Sequence, residues 1–545
     1  MFISEVKSTK KGKQYKSTLI RKTYRKDGKV KNLTLANLSK LPEKEIELIK
    51  LALSGAPSFA SISDISTSSS KEYGASFAFL HLARELGLDK MLYSQKVRWR
   101  EDLLAVIIGR LVFQGSKLSL TNASKDTSLW ELCGHEDGVP LNVNINCYQP
   151  MDELLRRQEK IQNTLVAKHM SKGCLVLYDI TNTWMEGEYE DSELVAYGKA
   201  KDGKRGYKQI AIGLITNAEG CPVAVEVFRG NISDQMTVWG QAKKLAKSYG
   251  LSEVVFAGDR GMLTPKRIAE VSSLGFKTLT ALTHPQIRSM LNDNVIQPEL
   301  FDERNIVEVR DPEQPGIRFM LCKNPDTARR STNTRRSLIK RTIEGLDKIK
   351  SSTRKQQRDK KCARIGKVLA KFKVGKFFIW QLDNDNNLIY ELDEEKINHE
   401  EALDGCYVIR TDVDEETLDK QKTVFRYKQL TQVEQAFRNL KTVALELRPV
   451  YHKKDVRIKG HVFICMLAYY IQWHARKRLQ PLFEKDGVGD ERRWTFDVVM
   501  ERLKSLRKET LKIKNIAIST KKNSPDDEQS EILKLLGVNL DVDRI

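Results

Sequence analysis

The sequence has no apolar run long enough to cross a bilayer. The longest, His461 to Ile471, falls well short of the roughly 20 residues a hydrocarbon core demands. The opening stretch MFISEVKSTKK lacks the apolar segment of a secretory signal. Cysteine is sparse and dispersed: the eight, at 133, 147, 174, 221, 322, 362, 406 and 465, never come closer than 14 residues. That spacing holds no CxxC or Cys/His pair suggestive of structural zinc, and a chain with so large a core needs no disulfide framework. No internal repeat is visible. These absences predict a soluble protein of a reducing compartment, cytoplasmic and without a membrane partner.

What the chain has in excess is positive charge. Its 545 residues carry 93 Lys and Arg against 72 Asp and Glu, a net +21. The length predicts two to four domains, and 40% apolar residues suffice for folded cores. The charge is uneven. Residues 1–40 hold 12 Lys and Arg against 2 acids, and residues 329–376 hold 18 against 3. Outside these two segments the chain is slightly acidic. Two basic blocks on a near-neutral body predict polyanion contact at two places, through counterion release from phosphates. Solvated basic surface is the plain alternative, and double-stranded DNA is the leading partner.

The pattern divides the chain into six stretches. In 1–74, two alternating runs flank Lys26-Asp27-Gly28-Lys29, which predicts a β-hairpin. The Ser-rich SISDISTSSS after it reads as a linker. In 75–171 the apolar period turns helical. Helices around Gly87 and Gly115 fit a helix-turn-helix reader or a structural bundle. In 172–283, CLVLYD, YKQIAIGLIT, PVAVEVF, VVFAGD and FKTLTALT read as strands of an α/β layer, with helices before and after VVFAGD. Residues 284–423 hold the second basic block and short strands, as an insertion. At 424–480 one helix carries VFRYKQLTQVEQAFRNLKT and an apolar helix follows. Residues 481–545 are mixed and charged, with a loose polar stretch TKKNSPDDEQ.

Two strands of one sheet ending in Asp179 and Asp259 place two carboxylates at carboxyl strand ends, where open α/β sheets bind ligands. A carboxylate at the rim of a dry core calls for a cation. Tyr427, Glu434 and Lys441 are spaced seven and seven, close to two helical turns each, and so share a face. Three carboxylates holding two Mg²⁺ can activate a water or a 3′-OH and stabilise the leaving oxygen of a phosphodiester. A strand-end turn acid and an Asp259–Arg260 ion pair are the plain readings of the same residues.

The stretches YDITNTWMEGE (178–188), YGKAKDGKRGYKQIAIGLITNAEGCPVAVEVFRGNISDQMT (197–237), FAGDRGM (256–262) and YKQLTQVEQAFRNLK (427–441) resemble a bacterial insertion-sequence DDE transposase. More narrowly, they resemble the group with a β-rich insertion before the Glu and a Tyr-x2-Arg-x3-Glu-x6-Lys signature (the IS-four superfamily). The resemblance implies a ribonuclease H-like mixed-sheet core interrupted by an α+β insertion, with an N-terminal hairpin and helical DNA-binding region. It implies Asp179, Asp259 and Glu434 as catalytic metal ligands for Mg²⁺, with Mn²⁺ as substitute. Tyr427 and Lys441 match the signature, and the Lys in that family contacts phosphate at the transposon end. Leu430 stands where the signature has Arg, leaving Lys428 or Arg438 to supply that cation. Trp380, the one Trp of 284–423, reads as core. The implied activity is binding of terminal inverted repeats, cleavage to 3′-OH ends and strand transfer, as a synaptic homodimer near the bacterial nucleoid. A nuclease without strand transfer and an inert DNA-binding protein are the rivals.

Overall fold

The Asp-Gly signal marks the turn of a hairpin: in the computed structural model Lys26 pairs with Lys29, and Gly28 takes a φ of +70°. Strands β1 (Phe2–Lys10), β2 (Lys13–Lys26) and β3 (Lys29–Asn37) form an antiparallel sheet in that order. The structure describes residues 1–540 except 11–12, 27, 54–64, 202–204, 303–304, 353–356, 444–446, 448–449, 486–492 and 514–515. Asp27 and part of the Ser-rich stretch thus lie outside the described residues.

The rest of that Ser-rich stretch is no linker: Ile65–Glu72 is a strand, β4. Its partner comes from the far end of the chain, a pairing no local signal carries. The helices Gly74–Glu85 and Arg98–Val112 follow. All residues from Arg100 to Val112 are buried. A helix that reads DNA must offer side chains to a groove, and residues 100–112 offer none.

A second sheet is built from β5 (Leu175–Trp184), β6 (Ala196–Tyr197), β7 (Lys208–Asn217), β8 (Pro222–Arg229), β9 (Val255–Gly258) and β10 (Lys277–Ala281). Strand β5 lies parallel to β9, and β9 to β10, whereas β7 is antiparallel to both β5 and β8. Helices Asp234–Lys247 and Pro265–Ser272 connect β8, β9 and β10. The inner strands read as continuous apolar runs because both faces are covered; β7 is buried from Gln209 to Thr216.

The stretch read as an insertion is only partly separate. Its strands β11 (Val307–Val309), β12 (Arg318–Lys323) and, later, β15 (Cys406–Thr411) extend the same sheet past β10, in the order β11-β12-β15-β10. Between β12 and β15, the helices Pro325–Lys350 and Arg358–Lys371 and the hairpin β13 (Phe378–Leu382) and β14 (Leu388–Leu392) close a core of their own around Leu346, Ile365 and Leu388. Trp380 packs half-buried against that core.

After the helix Asp455–Arg478, strands β16 (Arg507–Ile513) and β17 (Ile516–Lys522) complete a sheet of order β17-β16-β4. The stretch expected to be loose therefore splits between a strand and the helix Asp527–Leu536, whose N-cap Asp526 and Gln529 form a capping box. Two units result. One comprises Met1–Ile161, Leu440–Leu447 and Val456–Ile545, and the other Gln162–Asn439 and Arg448–Asp455.

Candidate functional site

Asp179 is the fifth residue of β5, not its last. The apolar run stops there, but β5 continues through Trp184 because β7 supplies its ladder as far as Gln209. Asn182 and Thr183 of this extension are buried, and Asn182 Nδ2 donates to Lys199 O at 3.0 Å. Asp259 does follow the last residue of its strand. Tyr178 lies opposite Gly258 in the parallel pair, so Asp179 and Asp259 are successive to paired residues on strands about 4.8 Å apart. Below them, the fully buried Tyr178 donates to Thr237 Oγ1 at 2.8 Å.

Glu434 sits on the helix Leu430–Arg438, which turns Val433, Ala436 and Phe437 inward and leaves Glu434 exposed. The β7–β8 turn braces this helix. Gly220 there has a φ of +84°, and a Cβ on it would stand 3.0 Å from Gln432 Cβ.

The carboxylates repel one another. Burial raises the Asp179 carboxyl to about 6; the Ile180 N–H, 2.7 Å away, and Lys201 oppose this, whereas Asp259 and Glu434 add to it. The Glu434 carboxyl, exposed overall but partly desolvated, is raised by that desolvation and by Asp259. Burial, Asp259 and Glu434 push the Tyr427 phenol to about 12 against the pull of Arg260. One electrostatic cluster thus contains Asp179, Asp259, Glu434 and Tyr427. Among the described residues no cation forms an ion pair with any of the three acids. The three acids are hard oxygen donors of the kind a divalent cation takes, although among the described residues their oxygens do not all lie within 4.8 Å of one another.

The seven-residue spacing holds less well. One helix was expected from 424 to 442; the chain instead forms Lys420–Lys428, Leu430–Arg438 and a π-helical turn Asn439–Val443. A π turn takes up an extra residue, so the spacing no longer fixes Lys441 on the face of Glu434. Lys441 is half-buried and belongs to the other unit. Arg438 is exposed at the end of its helix, and Leu430 and Tyr427 are half-buried.

Sequence reasoning missed Lys201. Its Nζ donates to Ile180 O at 3.0 Å and Asp234 Oδ2 at 2.7 Å, setting its charge beside Asp179. Nothing distinguishes it among the lysines of YGKAKDGKRGYK; only the fold of that loop brings it in.

A family model described as a transposase DDE domain matches residues 172–471, more than half of the chain. A second, described as the N-terminal domain of IS1634 family transposases, matches residues 3–62. No curated protein matches significantly. Among solved structures, the chain is similar to a piggyBac transposase synaptic complex with hairpin DNA, at 8% identity and a TM-score of 0.34, over 74% of this chain and 70% of that one. That likeness is too distant to define the fold.

Proposed function

The chain belongs to the transposases that carry a DDE domain, and from that premise we propose that it cleaves the ends of its own insertion sequence and joins the freed 3′-OH ends to target DNA. The observation that carries this reading is the convergence of Asp179, Asp259 and Glu434, mutually repelling and without an ion-paired cation among the described residues. The sheet order β8-β7-β5-β9-β10, antiparallel then parallel, supports a ribonuclease H-like core.

Asp179, Asp259 and Glu434 would hold a pair of Mg²⁺ ions, with Mn²⁺ as substitute. Bound there, such ions activate a water or 3′-OH and stabilise the leaving oxygen of an in-line displacement. The chain's own residues position the DNA. Ile180 N–H and Arg260 N–H each fix one oxygen of the preceding Asp, at 2.7 and 2.8 Å, and so hold the two carboxylates in place. Tyr427 and Arg438 hold the DNA backbone near the scissile bond. The basic N-terminal sheet binds the terminal inverted repeats, and two copies pair the two ends in a synaptic dimer.

The test uses a duplex carrying one end of the element, with Mg²⁺. Wild-type protein should release a 3′-OH end and join it to a second duplex. Asp259→Asn should bind the duplex equally well but neither cleave nor join; retained cleavage would sink the assignment. Cleavage without joined products would replace a transposase with a nuclease.

A further inference from the structure

The N-terminal sheet is three-stranded only in part. Strand β1 pairs with β2 no farther than Phe2 opposite Arg21. Beyond that point β2 has β3 alone, in unbroken register from Arg21–Thr34 to Lys26–Lys29. Residues 22–26 and 29–33 therefore form a two-stranded ribbon projecting past the sheet. It extends about 17 Å, at roughly 3.4 Å per residue. Both its faces are open: Lys22 to Arg25 and all of β3 are exposed.

Register sorts the side chains. Residues directly opposite share a face, and faces alternate along each strand. One face thus carries Arg21, Thr23, Arg25, Val30, Asn32 and Thr34. The other carries Lys22, Tyr24, Lys29, Lys31 and Leu33. The Thr23 hydroxyl donates to Asn32 Oδ1 across the strands at 3.2 Å, which confirms the first face. Arginine and asparagine recognise base edges by paired hydrogen bonds, and threonine adds single ones. Lysine offers a point charge suited to phosphate.

We infer that this ribbon enters the DNA major groove, with Arg25 and Asn32 reading base edges and Lys22, Lys29 and Lys31 reaching the phosphate walls. Dimensions choose the groove. The two strands alone span about 4.8 Å, and side chains widen the ribbon to match the major groove of about 12 Å; a minor groove of about 6 Å excludes it. The inference rests on the proposed binding of transposon ends and specifies the element and groove that read them.

The full-length protein is titrated with a duplex carrying its element's terminal sequence and with a scrambled duplex, across a range of salt. Arg25→Ala and Asn32→Ala should each reduce the preference for the end duplex about fivefold or more, at about 1–3 kcal/mol per bidentate contact. Arg25→Lys should lose the same preference while keeping the salt slope, because it retains charge without the fork. Lys22→Gln, Lys29→Gln and Lys31→Gln together should lower the log–log salt slope by about 2.7 and leave the preference intact. An end duplex with 7-deazapurines, which removes the major-groove N7 acceptors of both contacts, should bind no more tightly than the Arg25→Ala protein binds the natural end. A wild-type protein with no preference for the end duplex overturns the transposase reading and the ribbon with it. A preference that survives Arg25→Ala, Asn32→Ala and 7-deazapurine substitution overturns the ribbon alone.

Discussion

Asp179 is held in the folded chain at a free-energy cost. Its carboxyl ionises near 6 rather than 3.8, mainly because it is buried. The folded state binds its proton more tightly than the unfolded state does. In the metal-free protein, stability should therefore fall as pH rises from about 4 to about 6, then level off. Allowing for its partial exposure, the loss is about 2 kcal/mol. Asp179→Asn should raise the melting temperature in EDTA at pH 8 by several degrees while abolishing cleavage; an unchanged melting temperature would show the charge to be compensated. Lys201 works in the opposite direction, lowering the pKa of Asp179. Lys201→Gln should move the pH midpoint of Mn²⁺ binding upward, as read by calorimetry between pH 5 and 8, and an unmoved midpoint would remove Lys201 from the site.

At the level of elements, the site depends on how the helix Leu430–Arg438 seats against the sheet. Gly220→Ala adds left-handed strain of about 1 kcal/mol and drives a methyl against Gln432, two residues before Glu434. It should slow cleavage more than it weakens DNA binding, measured by single-turnover kinetics and gel shift. Gly213 sits beneath the site, where a Cβ would meet the Tyr178 hydroxyl at 2.6 Å and the Phe228 ring at 2.9 Å. Gly213→Ala should destabilise by about 1–3 kcal/mol in denaturant titration. The elements legible in the sequence were those with local signals: the Asp-Gly hairpin, the apolar runs of β5 and β9, and the helices beginning at Asp234 and Pro265. Strand β4 was not legible, because four serines in Ile65–Glu72 signal a turn and only a distant partner makes them a strand. The extension of β5 past Asp179 was hidden for the same reason. Asp179, Asp259, Glu434 and Tyr427 could be singled out from sequence and lie together, whereas the π turn that displaces the Lys441 spacing leaves no trace in it.

Across the whole molecule, the second basic block divides into structural and free charge. Arg358 donates to Leu382 O and Asp383 O, and Lys361 to Asn386 O, so both fasten the β13–β14 hairpin. Arg354 and Lys355 lie outside the described residues. Lys340, Arg341 and Lys348, exposed on the long helix Pro325–Lys350, are the better test of phosphate contact. Changing these three to Gln should lower the log–log salt slope of DNA binding by about 2.7 with no change in melting temperature; an unchanged slope would leave the block as plain surface. The sheet β17-β16-β4 has a different reach. Arg507 bonds to Ser70, 437 residues away along the chain, and the whole second unit is encoded between them. A ribosome adding 5–20 residues per second needs roughly 20–90 s to cover that distance. For that time β4 has an open edge and nothing to close it, while the unit carrying the acidic cluster has already left the exit tunnel. The carboxylates are thus assembled before the N-terminal unit is finished. A nascent chain stalled before β16 would carry a complete acidic cluster on an unsealed N-terminal half, and chaperones that recognise open strand edges would have that half within reach.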